Sequence, residues 1–60
     1  MIATYLIQNK EIITRAYTTL ERTDREVREE YKGLAARIVR ISPGTKVWVW
    51  FPDWGWKEVE

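Results

Sequence analysis

Residues 36–51 read ARIVRISPGTKVWVWF, two runs of β-branched and aromatic residues separated by a proline-glycine corner. Runs of this composition are typical of β-strands. Pro43 presets φ for the first central position of a turn, and Gly44 accepts the positive φ of the second, so residues 42–45 are predicted to form a type II turn. The whole stretch therefore predicts a β-hairpin.

The same turn predicts which residues face each other across the hairpin. If Ser42 lies opposite Thr45, then Arg37 lies opposite Trp50, where a cation–π contact is expected. Side chains alternate between the faces of a strand, so one face carries mainly aliphatic residues: Ala36, Ile38, Arg40, Val47, Val49 and Phe51. The other face mixes cations with indoles: Arg37, Val39, Ile41, Lys46, Trp48 and Trp50. The aliphatic face is the expected core side, with Arg40 reaching its edge.

The face with cations and indoles predicts a binding surface. Single-stranded nucleic acid is bound by aromatic rings that stack on bases and by cations that follow the phosphates. Trp48 and Trp50 are the expected stacking platform. The expected charges come from Arg37, Arg40 and Lys46, and Trp54 and Trp56 would extend the surface. The alternative is that the tryptophans are apolar filler, buried in the core, in an oligomer or against a protein partner.

The C-terminal end adds one strand to this hairpin. Residues 52–55 read PDWG and predict a second turn. Residues 56–59 then predict a short third strand, which completes a three-stranded antiparallel sheet.

The N-terminal part, residues 1–34, is predicted to be helical, because apolar residues recur there at intervals of three and four. Gly33 is a natural helix terminator. Two helical arrangements fit: one continuous helix, or helices near 9–22 and 24–33 separated by a capping box from Thr23 to Glu26. A third alternative makes residues 2–7, which are rich in β-formers, a short strand.

The helical reading also predicts ion pairs along residues 21–29. Pairs four residues apart join Glu21 to Arg25, Arg22 to Glu26, Asp24 to Arg28 and Arg25 to Glu29. Each such pair stabilises a helix by roughly 0.2–0.5 kcal/mol. This charged run is expected to be a solvated helix face rather than a binding site.

These elements predict one small α+β domain over residues 1–60. A long or broken N-terminal helix, residues 1–34, packs on the three-stranded antiparallel sheet of residues 35–60. A domain of this size buries only about 60% of the surface that its unfolded chain exposes. The apolar helix stripe and the tryptophan cluster exceed what one short chain covers, so a homo-oligomer is expected.

Composition excludes most catalytic chemistry. The 60 residues include no Cys and no His, so thiolate metal sites and the commonest acid–base group are absent. The only serine, Ser42, has no histidine as a base. We therefore expect no enzyme, no metal, no cofactor and no small-molecule substrate. The apolar runs are too short to span a membrane, and a cytoplasmic protein is expected.

A pattern of strands also runs through Tyr31-Lys32-Gly33, residues 36–41, residues 47–51 and Trp56-Lys57-Glu58-Val59. This pattern resembles SH3-like small β-barrels, including KOW and Tudor-like modules and the C-terminal domain of retroelement integrases. The resemblance implies a non-catalytic module that binds nucleic acid or protein segments, and no individual residue is carried over. A complete barrel would need residues 2–7 as a strand, or strands from a neighbouring molecule.

Two functions follow from the sequence. The first is a non-enzymatic nucleic-acid-binding module that uses the tryptophan, arginine and lysine face. The second is a protein-interaction, assembly or regulatory subunit that buries the tryptophan cluster in an interface.

Overall fold

The computed structural model describes residues 1–59, which form an antiparallel sheet with one helix. The strands are β1 (Ile2–Ile7), β2 (Glu11–Ala16), β3 (Arg37–Ser42), β4 (Lys46–Phe51) and β5 (Gly55–Val59). The helix, α1 (Leu20–Glu30), connects β2 to β3. Neighbouring strands are antiparallel, and the order across the sheet is β2-β1-β3-β4-β5.

The predicted fold class is wrong in its N-terminal half. Residues 1–34 do not form a long or broken helix on a three-stranded sheet; they form β1, β2 and the short α1, so the protein is mostly β. The strand considered for residues 2–7 is present as β1. Apolar residues in β1 and β2 occupy both sheet faces, since Ile12 and Ile13 point to opposite sides. Their combined spacing therefore imitates a helical stripe.

A tight turn between β1 and β2 replaces the helix predicted there. Gln8 and Asn9 have φ of 57° and 60°, the left-handed region that Asn adopts more readily than most residues. The side-chain Oε1 of Gln8 accepts hydrogen bonds from the N–H groups of Ala36 and Arg37, at 2.6 and 3.2 Å. These bonds fix the turn against the beginning of β3.

The predicted helix break at Thr23 is also wrong. Helix α1 begins at Leu20, and the N–H of Thr23 donates to the carbonyl of Thr19 at 3.2 Å as part of its first turn. One predicted ion pair, Arg22–Glu26, is present at 3.3 Å on the exposed side. Asp24 instead faces the sheet and is buried, because its carboxylate bonds to groups of β1 and β3.

The hairpin predicted from residues 36–51 is present, but its predicted register is wrong by one residue. Arg37 lies opposite Val49, and Ile38 lies opposite Trp48. The β3–β4 ladder closes at Arg40, and Ser42 belongs to the ladder with β1, where Thr4 is its partner. This register places the large indoles under α1, where they bury more apolar surface than valine would.

The two faces of the sheet therefore differ in what covers them. Helix α1 packs on one face, which we call the covered face. The core lies between the two and consists of Ala3, Tyr5, Ile7, Val27, Ala35, Ile38 and Trp48. No other helix or strand within residues 1–59 packs on the opposite face, which we call the open face.

Candidate interaction surfaces

The register divides the residues predicted to form the binding surface. The covered face carries five of them: Arg40, Lys46, Trp48, Trp50 and Trp56. Arg37 lies on the open face, and Trp54 lies in the turn between β4 and β5. The expected Arg37–Trp50 pair is not formed, because the two side chains point to opposite sides of the sheet.

Trp48 is part of the core rather than an exposed platform. It is 5% exposed and lies opposite Ile38 beneath α1. The guanidinium carbon of Arg28, from α1, lies 4.8 Å from the centre of the Trp48 ring. A base would have to displace the helix to stack on this ring.

Trp50 of β4 packs against Trp56 of β5, and Trp56 also bonds to the helix. Their rings meet edge to face, with centroids 5.4 Å apart and planes at 71°. The Trp56 Nε1–H donates to the backbone carbonyl of Arg28 at 2.9 Å. Both side chains are half-buried on the covered face.

A buried polar trio joins the sheet to α1. The Tyr5 hydroxyl donates to Oδ1 of Asp24 at 2.6 Å, and Arg40 donates to Oδ2 of the same carboxylate. Arg40 also donates from Nε to the carbonyl of Gly44 at 3.3 Å. Burial, followed by the hydrogen bond to Asp24, raises the pKa of Tyr5 far above its ordinary value.

The polar trio is already satisfied within the chain. In the described part of the protein, every buried side-chain nitrogen and oxygen has a hydrogen-bond partner. Residues 1–59 also contain no cluster of three or more Asp, Glu, His or Cys side chains that could hold a metal ion. The trio therefore joins β1 and β3 to α1 within the chain.

The open face has an uninterrupted apolar centre. One residue from each strand lies in register across the whole sheet, and we call this set the aliphatic row: Ile12, Leu6, Val39, Val47 and Val59. Ile12, at the β2 edge, is 65% exposed, and the other four are half-buried. An antiparallel sheet that faces water normally carries polar residues there.

The rows on either side of the aliphatic row are different. Toward one end lie Arg37, Val49 and Lys57, in register across β3, β4 and β5. Toward the other end Thr4 and Thr14 are paired across β1 and β2. The open face thus has cations on one side of its apolar centre and hydroxyls on the other.

The turn beside the cationic row carries exposed aromatic rings. Phe51 is 38% exposed and Trp54 is 70% exposed, with ring centroids 6.1 Å apart. The Lys57 Nζ lies 4.6 Å from the centre of the Trp54 ring. We call Phe51, Trp54 and Lys57 the aromatic end of the sheet.

Sequence reasoning missed the aliphatic row and assigned the tryptophans to the wrong face. One signal was available: in the run KVWVW the valines and tryptophans alternate. Because side chains alternate between the faces of a strand, the valines lie on one face and the tryptophans on the other in any register. The indoles, being larger, belong on the face that the helix covers, which leaves the valines outside.

The chain was compared with protein-family models, curated proteins and solved structures, and none of them matches it.

Proposed function

We propose that this chain is a non-enzymatic protein-interaction module that assembles through its open face. The observation that carries the proposal is the aliphatic row, which runs across all five strands without a charged residue. Large exposed apolar patches on soluble proteins mark interaction sites. Burying such a patch against a partner removes apolar surface from water at roughly 25 cal/mol per Å².

The composition of the open face supports a protein partner. Its centre lacks charge and its rim carries Arg37, Lys57 and two threonines, which matches the apolar core and polar rim of protein interfaces. The proposal places the module in the cytoplasm, where disulfides are rare, and the chain contains no Cys. Within residues 1–59 there is no helix with the length and apolar character needed to cross a membrane.

The test is site-specific photo-crosslinking in cells that express the chain. A photoreactive phenylalanine at position 47, on the open face, should give discrete protein adducts. The same residue at position 29, on the exposed side of α1, should give few. Adding Val39→Lys to the position-47 protein should remove the adducts if this protein stays folded. Equal labelling at positions 29 and 47, or none at 47, would refute the proposal.

A second function, single-stranded nucleic acid binding, is favoured by the aromatic end. Trp54 is exposed, lies beside Phe51 and Lys57, and is near the cationic row that includes Arg37. Stacking of one base on one ring contributes roughly 1–3 kcal/mol. This surface is smaller than the one predicted from the sequence, because Trp48 and Arg40 are buried.

Titration of a labelled oligothymidylate, followed by anisotropy, tests this second function. Binding should weaken as salt rises, since phosphate contacts release counterions. Trp54→Ala should weaken it about 5- to 100-fold, as expected for the loss of one stacking contact. Leu34→Ala is the control, because Leu34 is 76% exposed but lies outside the aromatic end. An affinity that Trp54→Ala leaves unchanged would exclude this use of the surface.

A further inference from the structure

The geometry of the aliphatic row is self-complementary. The five side chains lie on one line across the sheet, with Val39 of the central strand at its middle. A twofold axis that runs along this line places each strand over the same strand of a second copy. Each aliphatic side chain then meets its own counterpart, as residues near the axis of an isologous interface do.

The charges on the open face favour an axis along the aliphatic row over an axis parallel to the strands. Arg37 and Lys57 lie on the same side of the aliphatic row. An axis parallel to the strands would bring the cationic rows of the two copies together, where like charges repel. An axis along the row instead places each cationic row over the opposite end of the same strands in the partner, so the two cationic rows stay apart.

The two cations are also held away from the apolar centre. Arg37 donates from Nη1 to Oδ1 of Asn9 at 2.7 Å, at the β1–β2 turn. Lys57 lies over the Trp54 ring at the aromatic end. Neither side chain needs to be desolvated in the middle of the contact, so the apolar row can close without an unpaired charge.

The area of the open face is sufficient for a dimer. Five strands spaced about 4.8 Å apart and about six residues long make a face of roughly 24 by 20 Å. Two such faces bury on the order of 1,000 Å² in projection, and ridged side chains increase the accessible area. A specific interface needs about 1,000 Å². Two antiparallel sheets packed about 10 Å apart form a β-sandwich with an interdigitated core.

We propose that the occupant of the open face is a second copy of this chain, related by a twofold axis along the aliphatic row. This inference rests on the proposed function and names its partner. The aromatic end of each copy then lies over the end of the partner that carries the loop of residues 43–45. Both copies cover the apolar surface that one copy leaves exposed.

Sedimentation equilibrium of the full chain over a range of concentrations tests whether the partner is a second copy. The chain should sediment as a dimer, and Ile12→Lys should weaken the dimer about 10-fold or more, since the two lysines would meet across the axis, where like charges repel. Ile12 is 65% exposed at an edge strand, so this variant should keep its fold. Leu34→Lys, also at an exposed aliphatic residue, should leave the dimer unchanged. If the chain is monomeric at every concentration, the proposal that a second copy occupies the open face is wrong.

The photo-crosslinking result separates that failure from failure of the proposed function. If the chain sediments as a monomer but position 47 still gives adducts with another protein, the proposed function stands and the second copy is wrong. If position 47 gives no adduct, both are wrong. Adducts at twice the mass of the chain support both.

Cysteine cross-linking tests the axis. The chain contains no Cys, so single replacements are unambiguous. An axis along the row brings position 37 of one copy over position 41 of the other. A mixture of Arg37→Cys and Ile41→Cys proteins should therefore cross-link with a short bismaleimide, and neither protein alone should. If each protein cross-links to itself and the mixture gives no additional product, the axis is parallel to the strands and the proposed arrangement is wrong.

Discussion

The two faces of this sheet are built from the same strands but are stabilised differently. The covered face buries the polar trio of Tyr5, Asp24 and Arg40 together with Trp48. The open face presents the aliphatic row, with Arg37 and Lys57 beside it. The face that contains buried charge is closed by the chain itself, whereas the apolar face is left uncovered. The comparison teaches that the face proposed to bind a partner is the one whose side chains make the fewest polar contacts within the chain.

The covered face should be the more sensitive to substitution, and Asp24 should give the largest effect. Asp24→Ala leaves the Arg40 guanidinium buried without its carboxylate, which costs about 3–5 kcal/mol. A 60-residue domain has a free energy of unfolding of about 3–9 kcal/mol. Urea denaturation followed by circular dichroism should show a free energy of unfolding lowered by this amount, which is a third or more of the total.

A combined replacement is the control for Asp24. Tyr5→Phe, Asp24→Leu and Arg40→Met together remove every polar group of the trio and keep the volume similar. Replacing a buried ionic group by apolar residues is often neutral or stabilising. This protein should recover most of the lost stability. If it is as unstable as Asp24→Ala, the loss arises from packing and not from the unpaired charge.

Alanine substitutions at two neighbouring residues of β3 compare the two faces directly. Ile38 is fully buried on the covered face, so Ile38→Ala should cost about 2–5 kcal/mol at any protein concentration. Val39 is its neighbour on the open face, and Val39→Ala should cost about 1 kcal/mol or less in dilute protein. At high concentration its cost should grow, because the side chain then lies in an interface. Thermal melts over a range of concentrations measure both; a concentration-independent cost at Val39 would contradict the assembly.

The C-terminal half of the fold was predictable because its signals are local. The Pro43-Gly44 corner and the β-branched runs on either side specify a hairpin whatever the rest of the chain does. The register of this hairpin was not predictable, because it depends on two distant elements. Strand β1 pairs with Ser42, and Asp24 of α1 bonds to Arg40. Both are long-range contacts that a local pattern does not encode.

The prediction for the N-terminal half was wrong because the same spacing of apolar residues can arise from one helix or from two paired strands. Apolar residues on alternate faces of two strands give intervals of three and four when a turn of residues 8–10 separates them. The polar break at Gln8 and Asn9, between two β-rich runs, was the signal for a hairpin. The alternation of valine and tryptophan in residues 46–50 separated the two faces of β4. That the apolar positions continue across all five strands could not be found from sequence, because this depends on the pairing of β1, β2 and β3.

Tyr5 gives the stability of the covered face a dependence on pH. Its pKa is raised above the ordinary value of 10.0, so the folded state keeps a proton that the unfolded state loses. The resulting stability is fully present below about pH 10 and is lost as pH rises toward the folded-state pKa, by about 1.4 kcal/mol per pH unit.

The measurement for Tyr5 is urea denaturation between pH 9 and 11, with Tyr5→Phe as the reference. The parent chain should lose stability more steeply than Tyr5→Phe, because only the parent chain has the Tyr5 hydroxyl. Identical slopes would mean that the hydroxyl is not held protonated by its surroundings.

The smallest expected effect is the coupling energy of two cation–π contacts, one on each side of the sheet. Arg28 lies 4.8 Å from the ring centre of Trp48 on the covered face, and Lys57 lies 4.6 Å from that of the exposed Trp54. Such contacts are worth about 0.5–1 kcal/mol at exposed sites and about 2 kcal/mol when desolvated. Arg28→Met and Lys57→Met keep the aliphatic stem and remove the charge. Double-mutant cycles with Trp48→Phe and Trp54→Phe should therefore give a larger coupling energy at Arg28. A larger coupling at Lys57 would mean that contact with α1 does not desolvate the Trp48 ring, and the distinction between the two faces would then rest on their aliphatic residues alone.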